Sequence, residues 1–123
     1  MSDYGLEGIQ QVLERYFEAL YTGDVGMFRA IFHPRAMLYC SVGSPTVILS
    51  VDEYMNIVAN RAAPAQSNAP RRDEILLMDR PTPITAHARV RELFGPKQFT
   101  DDLGLILEDG AWKIVSKIWD AQE

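Results

Sequence analysis

From Leu6 the apolar residues recur at Ile9, Val12, Leu13, Tyr16, Phe17, Leu20 and Tyr21, the i, i+3, i+4, i+7 spacing of an amphipathic helix. This spacing predicts a first helix over residues 5–22, stopped by Gly23. Asp24 is placed to cap a second helix, whose buried face reads Met27, Phe28, Ile31 and Phe32 and which Pro34 closes. Residues 36–42 and 46–50 read as two short strands around the turn chemistry of Gly43-Ser44-Pro45. Ser50-Val51-Asp52-Glu53 has the form of a capping box, in which a hydroxyl and a carboxylate satisfy free backbone N–H groups. It opens a third helix over 51–61 that presents Tyr54, Ile57 and Val58. Ala62–Pro70 reads as a loop, and strands are predicted over 72–80, 84–94, 98–108 and 111–119, with Gly95-Pro96 and Asp109-Gly110 as hairpin turns.

The turns set a registry, because directly opposed residues of an antiparallel pair share a face. With Glu108 opposite Ala111, Leu107 pairs with Trp112, Leu105 with Ile114, Leu103 with Ser116 and Asp101 with Ile118. With Phe94 opposite Lys97, Ala86, Ala88 and Val90 join that face. The result is an apolar surface on which Asp101 and Ser116 are the polar exceptions. The opposite face carries His87, Arg89, Arg91, Thr100, Asp102, Val115, Lys117 and Trp119, with Arg89, Asp102 and Lys117 in one cross-strand row.

Composition narrows the setting. A chain of 123 residues, 47% hydrophobic and 24% charged, fits one ordinary globular domain. Its net charge of −5 repels a phosphate backbone, so no nucleic-acid partner is expected. The one basic doublet, Arg71-Arg72, runs straight into Asp73-Glu74 and reads as a surface charge pair. Cys40 is the only cysteine and no secretory leader pattern opens the sequence, which predicts a reducing, cytoplasmic setting. No apolar run approaches the ~18 residues that a membrane span needs. With only His33 and His87 and no C-x-x-C or H-x-x-x-H, neither a metal site nor a cofactor is expected.

Three segments together resemble a known superfamily. Val12-Leu13-Glu14-Arg15-Tyr16-Phe17-Glu18-Ala19-Leu20, with Gly23-Asp24 and Ile31-Phe32-His33-Pro34-Arg35-Ala36, is similar to the opening of nuclear transport factor 2-like (SnoaL-like) proteins. Ser50 to Arg61 fits the same pattern. Phe99-Thr100-Asp101-Asp102-Leu103 through Asp109-Gly110-Ala111-Trp112-Lys113-Ile114-Val115-Ser116-Lys117 resembles the branch described as putative lumazine-binding. The resemblance implies an α+β cone: three N-terminal helices, with a short hairpin between the second and third, packed in a strongly curved antiparallel sheet. It also implies a cavity at the open end and a homodimer formed through the sheet. Against ketosteroid isomerase, a relative, the oxyanion-binding tyrosine falls on Tyr16, the base aspartate on Cys40 and the second acid on Gly104, so that chemistry is lost. The usual His-Pro-Asp-Ala is His33-Pro34-Arg35-Ala36 here.

Asp101 is the most informative residue, since a carboxylate on an apolar face is either desolvated with a raised pKa, suited to acid–base work, or hydrogen-bonded at a strand start. Tyr16 and His33 are its candidate helpers, with a purely structural alternative for each: packing with a polar tip for Tyr16, helix capping for His33. Arg89 and Lys117 either form a solvated or dimer-interface row with Asp102 or line the cavity and bind an anion. The expected pocket is lined by Tyr16, Phe17, Leu20, Phe28, Phe32, Tyr39, Tyr54, Val58, Leu103, Leu105 and Trp112 and takes a small apolar or aromatic molecule. The expected function is small-ligand binding; the alternative is a cofactor-free lyase, isomerase or dehydratase using Asp101 with Tyr16 or His33.

Overall fold

In the computed structural model, which describes residues 4–41 and 45–122, the chain runs α1 (Glu7–Thr22), α2 (Val25–Ile31), β1 (Phe32–Cys40), β2 (Val47–Ser50) and α3 (Val51–Asn60). A short 3₁₀ turn (Pro64–Ser67) leads into β3 (Glu74–Thr82), β4 (Thr85–Phe94), β5 (Lys97–Glu108) and β6 (Ala111–Gln122). The punctuation predicted from sequence is present. Gly23 ends α1 at φ 73°, a left-handed conformation that costs glycine nothing, and its N–H bonds to Ala19 O. Asp24 caps α2 by accepting from Met27 N at 3.0 Å. Both bonds of the Ser50–Glu53 capping box form. The turn expected at Gly43-Ser44-Pro45 lies largely outside the described residues.

The second helix is shorter than its apolar spacing suggested. It stops at Ile31, and Phe32, His33 and Pro34 already belong to β1. Pro34 disfavours the helical conformation at His33 and so bars the helix from running on, and Phe32 is already extended.

The six strands form one curved, unclosed sheet in the order β2-β1-β6-β5-β4-β3. Every neighbouring pair is antiparallel except β1 and β6, which run parallel. The three helices pack on the concave side. Tyr16, Phe28 and Phe32 interlock there with tilted and edge-on ring contacts at 6.2–6.3 Å, over Leu38, Leu103, Leu105 and Ile114, all of them buried.

One irregularity changes the predicted registry. The pairs Glu108–Ala111, Leu107–Trp112 and Leu105–Ile114 form as the Asp109-Gly110 turn dictates, with φ positive at both turn residues. Beyond Leu105 the register slips. Gly104 lies opposite Ser116, not Val115, so two residues of β6 oppose one of β5 in a bulge. From there every partner moves by one: Leu103 faces Lys117, Asp102 faces Ile118 and Asp101 faces Trp119. Lys117 and Trp119 therefore turn to the concave face, and Ser116 and Ile118 leave it. The predicted row keeps Arg89 and Asp102, joined at 2.9 Å on the convex side, and loses Lys117. Gly104 suits the bulge, since a Cβ there would come within 2.6 Å of Ser116 Oγ.

Candidate functional site

The slip gathers charge inside the cone. Asp101, from β5, is fully enclosed and accepts a 2.5 Å hydrogen bond from Tyr16 Oη, which α1 holds one turn from Leu13 and Leu20. Lys117, from β6, is buried as well, with Nζ 3.8 Å from Asp101 Oδ2 and 3.4 Å from Tyr54 Oη on α3. The rings of Tyr16, Tyr54 and Trp119 surround the ammonium at 4.9–5.5 Å from their centroids. Glu92 completes the set. It continues the inward alternation Ala86, Ala88, Val90 of β4, stands opposite Phe99 and so lies diagonally across from Asp101, with only 4% of its surface exposed.

Burial and neighbours set the charge states. Burial, then a hydrogen bond to Asp101 and the charge of that carboxylate, push the Glu92 carboxyl up to about 11, with Lys117 opposing the shift. Glu92 therefore keeps its proton at neutral pH. Among the described residues, Glu92 Oε2 and Asp101 Oδ1 are buried without a hydrogen-bond partner, and the neighbouring Asp101 carboxylate is the group to which the Glu92 proton can bond. For Lys117, burial lowers the pKa, but the Asp101 charge and the contact with Tyr54 raise it further, and the amine stays charged. Burial and the adjacent Asp101 hold the Tyr16 phenol well above its usual range, so it is a donor.

Above this cluster opens a pocket of about 100 Å³. Its floor is Lys117 and Glu92, its walls are Leu20, Leu49, Tyr54, Ile57, Phe94, Phe99 and Trp119, and Arg61 stands at the rim. Asp101 and Tyr16 lie behind the floor rather than in the lining.

Of the pocket residues expected from sequence, Leu20 and Tyr54 line this opening. Phe17, Phe28, Phe32, Val58, Leu103 and Leu105 are buried in the core cluster, filling the space that the prediction left as cavity. Tyr39 lies on the convex face, more than a third exposed. Trp112 borders a separate depression with Gly8, Arg15 and Lys113. Among the candidate chemical residues, Tyr16 and Asp101 are brought together. His33 is not with them: its Nδ1 accepts from Arg35 N and its Nε2 lies 3.4 Å from Glu108. Arg89 and His87 both face Asp102 on the convex side, leaving Lys117 alone of the expected anion-binding pair in the pocket. Sequence reasoning passed over Glu92, although one more step of the β4 alternation reaches it. Trp119 was assigned to the wrong face by the unrecognised bulge. No group of three or more His, Cys, Asp or Glu able to hold a metal occurs among the described residues.

The fold is the one shared by solved proteins described as nuclear transport factor 2-like. The chain is similar over its whole length to a protein of that class of unknown function from Shewanella baltica OS155, with 23% identity, 100% and 99% of the two chains covered and a TM-score of 0.86. A second such protein, from Silicibacter pomeroyi DSS-3, shares 22% identity over 95% of each chain at a TM-score of 0.84. A ketosteroid isomerase-like protein from Erwinia carotovora atroseptica SCRI1043 shares 14% identity over 96% of each chain at 0.75. At these identities the likeness is one of fold. Residues 5–120 match the family described as putative lumazine-binding, and the chain belongs to that family. No curated protein is a significant match.

Proposed function

We propose that the protein binds a small planar molecule in the slot over Lys117 and Glu92. The observation that carries this reading is the floor itself: a buried ammonium and a carboxyl group with an otherwise unpartnered oxygen lie at the end of an aromatic opening. Burying such groups is costly unless something uses them. The family description names a flat heteroaromatic ligand, and the walls of Phe94, Phe99 and Trp119 suit a flat ring. Trp119 supplies the assay: a ring entering the slot quenches its fluorescence saturably. Trp119→Phe removes that signal while Trp112→Phe keeps it. Quenching that survives Trp119→Phe and disappears with Trp112→Phe places the ligand elsewhere.

A second reading, cofactor-free lyase, isomerase or dehydratase chemistry, is favoured by the proton on Glu92. A carboxylic acid that lines the pocket and is neutral at pH 7 can turn its one proton from Asp101 to a developing oxyanion, leaving Asp101 to the Tyr16 hydroxyl and the Lys117 charge. Asp101 becomes a partner to the acid in this scheme rather than the group touching substrate.

We also infer a cytoplasmic homodimer joined through the convex face. One cross-strand row there runs Ile48, Tyr39, Ile118, Asp102, Arg89 and Leu77, with Ile118 58% exposed and Ile48 52%. A second copy laid on this row would cover its apolar ends. No helix among the described residues is long and apolar enough to cross a membrane.

A further inference from the structure

The pocket's donors are unequal to its acceptors. An ammonium group carries three N–H donors. Lys117 uses one on Tyr54 Oη at 3.4 Å, and its 3.8 Å approach to Asp101 is too long for a hydrogen bond. Its remaining donors meet the faces of Tyr16 and Trp119, which accept only weakly. Arg61, at the rim, stacks 4.4 Å from the centroid of Phe94 and 5.7 Å from that of Tyr54, and among the described residues no carboxylate lies within ion-pair distance of it. Two cations thus look into one apolar opening, in a chain whose net charge is −5. The lining's one carboxyl group, Glu92, faces Asp101 and holds a proton, so it adds no negative charge to the opening.

Size and shape restrict the occupant further. A space of about 100 Å³ falls well short of the roughly 300–1,000 Å³ of drug-sized sites. The walls are aromatic. Phe94 and Phe99 pack edge-on with centroids 6.2 Å apart and so form one wall with Trp119, and about 100 Å³ beside that wall is the scale of a single planar ring rather than of a fused four-ring skeleton.

Building on the pocket reading above, we propose that the slot is a site for small single-ring aromatic carboxylates. The ring lies against the aromatic wall and the carboxylate accepts from Lys117 Nζ, with Arg61 drawing the anion in at the mouth. Lys117 then sits between two carboxylates, the ligand's in front and Asp101 behind.

The test is isothermal titration calorimetry of the full chain with benzoate, its neutral isostere benzamide and the non-planar cyclohexanecarboxylate. Benzoate is expected to bind at least about tenfold more tightly than either, the scale of a single charge-assisted contact. Its affinity should fall with added sodium chloride while that of benzamide stays constant. Lys117→Met should erase the preference for benzoate, weakening benzoate more than it weakens benzamide. Should that variant fail to fold with Asp101 left uncompensated, Arg61→Gln at the rim and the salt series on the unaltered protein still decide. Arg61→Gln should weaken benzoate and spare benzamide. Equal affinity for benzoate and benzamide, or no effect of salt, overturns the carboxylate assignment while the pocket stands. Equal affinity for cyclohexanecarboxylate overturns the planar-ring requirement. Heat from none of the three overturns the pocket reading as well.

Discussion

Replacing Glu92 by glutamine should make the protein more stable at neutral pH, a reversal of the usual cost of changing a buried residue. In the unfolded chain this carboxyl titrates near its ordinary 4.5, whereas the folded protein holds it up to about 11. Between those values the native state keeps a proton that the unfolded state has released, so the unfolded state gains ground as pH rises. The penalty vanishes below about 4.5, where both states are protonated, and grows by ~1.4 kcal/mol per pH unit above it. At pH 7 it is on the order of 3 kcal/mol, a sizeable fraction of a small domain's net stability. Glutamine keeps the shape and offers Asp101 an amide donor, but it cannot ionise. Urea unfolding of both proteins at pH 5, 6, 7 and 8 should show the variant gaining over the parent with each step, and the two curves converging toward pH 4.5. A stability difference that does not change across this range, or a variant weaker throughout, would refute the claim that Glu92 is buried as the neutral acid.

Asp101→Asn should act in the opposite direction, because it leaves the Lys117 ammonium buried without its nearest counter-charge. A loss of roughly 3–5 kcal/mol in urea unfolding at pH 7 is expected, and an unchanged midpoint would mean that the Lys117–Asp101 contact carries no weight. Ile118→Asp, on the convex row, should convert a dimer into a monomer in sedimentation equilibrium without lowering the melting temperature of the monomer by more than a degree or two. A parent protein that is already monomeric at high micromolar concentration removes the basis for that assembly.

Much of the fold was legible because it depends on short-range chemistry. Gly23, Asp24 and the Ser50–Glu53 box each act within one helical turn, and the paired positive φ angles at Asp109-Gly110 are a property of that dipeptide. The face of Asp101 was readable too, since the tight turns at both ends of β5 leave its alternation no freedom before the bulge. What escaped was non-local. Nothing in Ile114-Val115-Ser116-Lys117 announces that Gly104 will meet Ser116, so strict alternation placed Lys117 and Trp119 outside. The helix-to-strand corner falls at Phe32, one residue ahead of the His33 that Pro34 restricts, and the apolar spacing of Met27, Phe28, Ile31 and Phe32 does not mark it. The pocket's true extent also depended on packing: whether Phe28, Phe32 and Leu105 fill the cone or leave it open depends on how far the sheet curves onto α1 and α3, and no residue records that by itself.

The bulge also sets an exchange between the two sides of the sheet. With the same residues in unbroken alternation, β6 would turn Ser116 and Ile118 inward and Lys117 and Trp119 outward, a sheet with a greasier interior and a more soluble back. The adopted register does the reverse, drawing an ammonium and an indole inside and pushing an isoleucine out beside Tyr39 and Ile48. A single backbone offset thus writes the chemistry of the cavity and the stickiness of the outer wall at one stroke, so neither can be tuned by altering the register without rewriting the other. Any comparison that slides this strand by one residue will exchange the inside of the molecule for its outside.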